Sequence, residues 1–207
     1  MKILAIQNRM GIGDTVIFLP FIKALSKKFN TPISLLVKES SKADQFLYQT
    51  NYIDKIILLE REKKTKNRHV GLSGSFNLIK DIKKHNFDKI IIFNSSIRFY
   101  FIAKLSGAEE VYQYPLFKKH KQHITKTPKK FFKEKLNIEV DEDPEIQIDK
   151  ISINNSKEKF QINSDEINIL LGIGGSGTTK RIPAKTFIDV IKKISEVKKC
   201  RFFLATG

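Results

Sequence analysis

A chain of 207 residues with 41% hydrophobic and 29% charged residues can build one domain-sized core and part of another, and that mix excludes a disordered tail. One cysteine, Cys200, excludes an internal disulfide and a cysteine-based metal site. The formal charge of +16 invites anionic partners, but it rests on 32 lysines and six arginines, with no zinc-finger spacing, arginine-rich helix or aromatic-basic RNA motif, so nucleic acid is not expected.

Lys2 to Gln7 is a short apolar run suited to a strand covered on both faces. No cleavage-like site follows it, and no apolar run elsewhere approaches the length needed to cross a bilayer, so the expectation is a soluble, cytoplasmic protein. Asn8 to Asp14 then forms a glycine turn, and Thr15 to Phe29 carries a broad apolar stripe at helical spacing. Gly11 and Gly13 allow a sharp reversal and leave room above the sheet end. Asp14 stands at the mouth of the helix, where two readings compete: an N-cap that accepts helix N–H groups, or a general base at a ligand cleft.

Pro32 to Val37 reads as a second strand, Ser40 to Thr50 as a short helix and Ile53 to Leu59 as a third strand. The polar stretch from Glu60 to His69 follows, with Arg61, Lys63, Lys64, Lys66 and Arg68 either solvated or turned to an anionic ligand. Phe76, Ile79 and Ile82 recur at helical spacing in a helix from about Ser75 to His85. Asp88 to Phe93 is a fourth strand, Ser96 to Leu105 a helix stopped at Gly107, and Val111 to Tyr114 a fifth strand. This alternation argues for a doubly wound parallel α/β sheet.

Phe117 to Leu136 is strongly basic, with an apolar side made by Phe131, Phe132 and Leu136. It reads either as a solvated helix packed through those three residues or as a surface attracted to an anionic membrane. An acidic segment and a polar connector with one short helix lead to a boundary near residue 160. The expected domains are therefore 1–160 and 161–207. The second holds a strand at Ile167 to Leu171, a glycine- and threonine-rich loop, a helix from Pro183 to Val197 and the strand at Arg201 to Ala205. One strand-helix-strand unit makes no core of its own, so this domain is expected to be incomplete.

Gly172-Ile-Gly-Gly-Ser-Gly177 matches G-x-G-x-x-G after a strand, but the helix starts late and the next strand lacks an acidic ribose partner. It is not a P-loop, since Thr178 and Thr179 precede Lys180. The remaining readings are an anion site built from backbone N–H groups, the hydroxyls of Ser176, Thr178 and Thr179, and Lys180, or an ordinary turn with solvated bases.

Gly11-Ile-Gly-Asp14-Thr-Val-Ile-Phe-Leu-Pro20, together with Gly174-Gly-Ser-Gly-Thr-Thr-Lys180-Arg-Ile-Pro183 after a connector, resembles glycosyltransferase family 9, the lipopolysaccharide heptosyltransferases. The resemblance implies a GT-B architecture of two Rossmann-like domains, inverting transfer from a nucleotide-sugar, ADP-heptose by analogy, to a lipid-linked glycan acceptor, and no required metal or other cofactor. It implies Asp14 as the base on the acceptor hydroxyl, with Gly13 beside it. Lys180 would meet the departing diphosphate, with Gly175, Ser176, Thr178 and Thr179 around it, and Arg61 and Lys64 would contact acceptor phosphates. Family members continue through a complete second domain, so activity of these 207 residues alone is in doubt. The alternative function is a non-catalytic module binding anionic glycolipid, a peripheral membrane contact through the basic stretches.

Overall fold

The computed structural model describes residues 1–9, 11–61, 67–116, 123–174 and 181–206. The chain divides into two compact units, Met1–Ile148 and Asp149–Gly207.

The first unit is the expected doubly wound sheet. Strands β1 (Ile3–Gln7), β2 (Ile33–Lys38), β3 (Ile53–Leu59), β4 (Lys89–Ile92) and β5 (Glu110–Gln113) lie in the order β3-β2-β1-β4-β5. Every pairing is parallel. All five residues of β1 are buried, because it is central and covered on both faces. A run of unbroken apolar residues is what such a strand requires.

Helices α1 (Ile12–Phe29), α2 (Ala43–Phe46), α3 (Gly71–Lys83), α4 (Ile97–Leu105) and α5 (Lys126–Leu136) connect or flank the strands. On one face of the sheet, α1 and α5 pack over Ile3, Ala5, Leu35 and Val37. On the other, Leu78 and Ile82 of α3 and Phe99, Ile102 and Ala103 of α4 pack over Leu4, Ile6, Leu36 and Ile90. The two sets alternate along β1, as side chains of period two must.

Two helices begin earlier than their sequence patterns suggest. The α1 helix starts at Ile12 rather than Thr15, and α3 starts at Gly71 rather than near Ser75. The short helix expected over 40–50 is a 3-10 turn at Glu39–Ser41 followed by the single turn of α2.

The basic stretch before residue 137 resolves into a packed helix where it is described. Phe131, Phe132 and Leu136 of α5 are all buried. The Phe132 ring meets Phe21 at 5.2 Å and stacks on Phe93 at 5.6 Å, while Phe131 meets Tyr114 at 5.1 Å. These contacts join α1, α5 and the ends of β4 and β5 into one aromatic cluster, with ring geometries that favour such packing.

The second unit contains α6 (Lys150–Lys159), β6 (Ile167–Gly172), α7 (Ala184–Val197) and β7 (Cys200–Ala205), with β6 and β7 paired in parallel. Asp149 caps α6 by accepting the N–H of Ser152 at 2.7 Å. None of the described residues of this unit is fully buried; Phe187, Ile191 and Ile194 of α7 are half-buried and Val190 is exposed.

Phe132 has no solvent exposure and joins α5 to both α1 and β4. Phe132→Ala is expected to lower stability by about 3–5 kcal/mol, read as a fall in the urea midpoint. A midpoint within error of wild type would mean that α5 does not belong to this core.

Candidate functional site

In a doubly wound sheet the crevice lies at the carboxyl ends of the strands, where the direction of winding reverses. Here that point lies between β1 and β4. The loops leaving these strands are tied together by Asn94, whose Nδ2 donates to Asn8 Oδ1 at 3.0 Å.

The turn after β1 is clamped by Gln7, which is almost wholly buried. Its Oε1 accepts the N–H of Arg9 at 2.9 Å, and its Nε2 donates to the main-chain carbonyl of Asp14 at 3.2 Å. Gly11 adopts φ 102° and ψ 158° and serves as the N-cap of α1. That conformation is essentially restricted to glycine. Asp14 is consequently the third residue of α1, so the N-cap reading of it is corrected. Among the described residues no hydrogen bond to its carboxylate is found, and it is half-buried. A Cβ on Gly13 would meet nothing within 4 Å, so the space above the first turn is open.

Asp14 lies within electrostatic reach of Lys38 on the neighbouring strand, and Arg61 links Lys38 to Arg98. Lys38 is the last residue of β2, Arg61 follows β3, and Arg98 is the second residue of α4. Burial pushes the Lys38 ammonium below its usual value, and Arg61 adds to the effect while Asp14 opposes it. Burial and Arg61 likewise lower Arg98. The depressed values report crowding of like charge on partly desolvated groups. Arg98 is held by neutral oxygens: its Nε donates to Ser75 Oγ at 2.9 Å and its Nη2 to the His69 carbonyl at 2.7 Å. Arg61 donates its main-chain N–H to Glu39 Oε2 at 3.0 Å.

His69, which is buried, holds this corner in place. Its Nδ1 accepts the N–H of Glu60 at 3.0 Å, which leaves Nε2–H to donate to Asp81 Oδ2 at 3.1 Å. Burial opposes ionisation of Asp81, but hydrogen bonds from Arg68, His69 and Lys84 prevail and bring its carboxyl down to about 2. Helix α3 approaches the same loop through Gly74, where a Cβ would stand 2.3 Å from the His69 carbonyl carbon.

On the β4–β5 side of the switch point lies a cavity of about 580 Å³. Phe93, Tyr114 and Phe131 give it an apolar floor, and Arg9, Asn94 and Lys130 place polar groups around it. Tyr114 is 7% exposed, and its hydroxyl has no hydrogen-bond partner among the described residues. Burial pushes its phenol far above the usual range, so it remains a neutral donor.

Of the residues singled out in the sequence, Gly13, Asp14 and Arg61 come to the carboxyl edge of the first sheet. Lys64, Gly175, Ser176, Thr178, Thr179 and Lys180 lie outside the described residues. Lys38, Arg98, Arg9 and Tyr114 were not anticipated. The available signal was positional: each ends or follows a strand of a doubly wound sheet, where ligands bind. Among the described residues no group of His, Cys, Asp and Glu is arranged to hold a metal, and no helix is long and apolar enough to cross a membrane.

No family model and no curated protein matches the chain. Solved structures do. The glycosyl transferase family 9 protein from Veillonella parvula aligns over 100% of this chain and 70% of its own, with a TM-score of 0.69 and 17% identity. Escherichia coli ADP-heptose LPS heptosyltransferase II aligns over 99% of this chain and 64% of its own, with a TM-score of 0.68 and 14% identity. An E. coli heptosyltransferase solved with ADP-2-deoxy-2-fluoro heptose aligns over 100% of this chain and 69% of its own, at 0.67 and 14%. At these identities the likeness is one of fold: the chain has the fold of the family 9 glycosyltransferases over about two thirds of their length.

An unpartnered buried hydroxyl is a cost that a phenyl ring avoids. Tyr114→Phe is therefore expected to leave the melting temperature unchanged or raise it, by up to about 2 kcal/mol of added stability. A clear fall in thermal denaturation would mean that the hydroxyl is satisfied in the protein.

Proposed function

We propose that a chain with this fold acts as an inverting glycosyltransferase, passing a sugar from a nucleotide-sugar, ADP-heptose by analogy with the E. coli structures, to a hydroxyl of an anionic, lipid-linked glycan. The observation that carries the reading is Asp14, a carboxylate without a hydrogen-bond partner among the described residues, at the switch point and within electrostatic reach of Lys38, the first of a run of cations that continues through Arg61 to Arg98.

Asp14 takes the proton of the acceptor hydroxyl as its oxygen attacks the anomeric carbon. The bond from that carbon to the diphosphate breaks on the opposite side, which inverts the configuration. A hydroxyl needs a positioned base to act as a nucleophile at neutral pH. Gly13 leaves room for the acceptor, while Lys38, Arg61 and Arg98, with Lys64, meet its phosphate or carboxylate groups. The cavity floored by Phe93, Tyr114 and Phe131 takes the body of the glycan, and the Tyr114 hydroxyl donates to a sugar oxygen. On the donor side, Lys180 and the N–H and hydroxyl groups of Gly175, Ser176, Thr178 and Thr179 neutralise charge on the leaving diphosphate. No step requires a metal.

A non-catalytic glycolipid-binding module is the second reading, favoured by the cation cluster alone. It differs in being indifferent to Asp14. Under the transferase reading, Asp14→Asn lowers turnover by about 10²–10⁴-fold with an unchanged melting curve. Turnover at the wild-type rate would remove the base from the mechanism.

A further inference from the structure

The two helical layers over the first sheet differ in what they leave to solvent. On the α1–α5 layer, the two helices expose one large apolar side chain, Ile12, among the described residues. On the α3–α4 layer, Leu72 is 85% exposed and Phe76 64% on α3, while Ile97, Phe101 and Leu105 are 52%, 57% and 60% exposed on α4. Phe76 shares helical spacing with Ile79 and Ile82 but is turned to solvent; the buried apolar side chains of α3 are Leu78 and Ile82. Spacing of four places Leu72 with Phe76, and Ile97 with Phe101 and Leu105, on one face of each helix. The helices pack on each other, and the bond from Arg98 to Ser75 joins their N-terminal halves. Together the five side chains present an apolar surface on the order of 500 Å², within the range of the largest patches on soluble monomers, which are often functional.

The charges on these two helices are basic apart from one paired acid. Helix α4 has no acidic residue and carries Arg98 and Lys104. Helix α3 carries Lys80 and Lys83, and its one acid, Asp81, is committed to Arg68, His69 and Lys84. A second copy laid face to face would bring lysines against lysines, in a protein already at +16. An anionic bilayer matches both properties, because apolar side chains enter the acyl boundary while lysines remain among the headgroups.

We propose that the α3–α4 layer is a membrane-docking surface, with Leu72, Phe76, Ile97, Phe101 and Leu105 entering the interface of an anionic bilayer and Lys80, Lys83 and Lys104 over its headgroups. The inference rests on the reading of a lipid-linked acceptor. In a parallel sheet each helix that follows a strand begins at the carboxyl edge, so Leu72 and Ile97 lie at the end of the layer where Arg61 and Arg98 stand. Docking there brings the cation cluster to headgroup level, where a lipid-linked glycan emerges.

The test is co-sedimentation with vesicles of phosphatidylcholine and phosphatidylglycerol in equal parts, against phosphatidylcholine alone. Binding to the anionic vesicles is expected, with a residue that persists in high salt because part of it is apolar. The double variant Phe76→Ser, Phe101→Ser is expected to keep its melting temperature, since both rings are more than half exposed, and to bind about tenfold more weakly. Asp14→Asn is expected to bind as wild type, which separates docking from catalysis, and the double variant should still turn over a deacylated, water-soluble acceptor. Equal vesicle binding by wild type and the double variant would overturn the proposal, as would no binding at low salt. Sedimentation showing a dimer that the double variant abolishes would assign the face to a second copy instead.

Discussion

Gly11 leaves β1 at φ 102° and ψ 158°, a backbone region closed to residues with a Cβ, and the geometry at the crevice follows from that turn. A Cβ there would have room, with Asp14 Oδ2 the nearest atom at 3.9 Å, so the requirement for glycine is conformational rather than one of space. Because the turn is completed before Ile12, the first helical turn contains Asp14 instead of beginning after it. Gln7 fixes the same corner from inside by bonding to the main chain on both sides of the reversal. Since β1 is the central strand, whatever follows it stands at the switch point of the sheet.

The two faces of the sheet serve this corner differently. Over α1 and α5 the apolar side chains turn inward and form an aromatic cluster, whose edge becomes the floor of the cavity at Tyr114. Over α3 and α4 the packing is thinner and the loop before α3 is held by polar means. The buried imidazole of His69 joins the end of β3 to Asp81, and its carbonyl anchors Arg98. A cation held by neutral oxygens near another of like charge is disposed toward an anionic ligand, since the ligand supplies the missing countercharge.

The sheet was legible because its strands are nearly unbroken apolar runs and the helices between them carry period-3.6 stripes. The packing of α5 through Phe131, Phe132 and Leu136 could be read from the same periodicity. Helix starts were harder. An Asp before an apolar stripe suggests an N-cap, and only the glycine conformation at position 11 decides otherwise. Phe76 misled for a related reason: its spacing from Ile79 and Ile82 fits an inward stripe, yet the face of α3 is rotated so that Leu78 and Ile82 reach the core. The cation cluster draws Lys38 from the end of β2, Arg61 from the loop after β3 and Arg98 from the first turn of α4, so no local pattern reveals it. Tyr114 is likewise ordinary as a strand-end aromatic until burial leaves its hydroxyl unpartnered.

Use of a nucleotide-sugar is what distinguishes a transferase from a simple binding module, because a cation cluster and a carboxylate suit either. Calorimetric titration of the chain with ADP, with a melt on the same sample to establish folding, tests this most directly. Saturable binding is predicted, unchanged in Asp14→Asn and weakened about tenfold in Lys180→Ala through loss of one charge-assisted contact to phosphate. A folded chain that does not bind ADP, or a Lys180→Ala variant that binds it as tightly as wild type, would contradict the account.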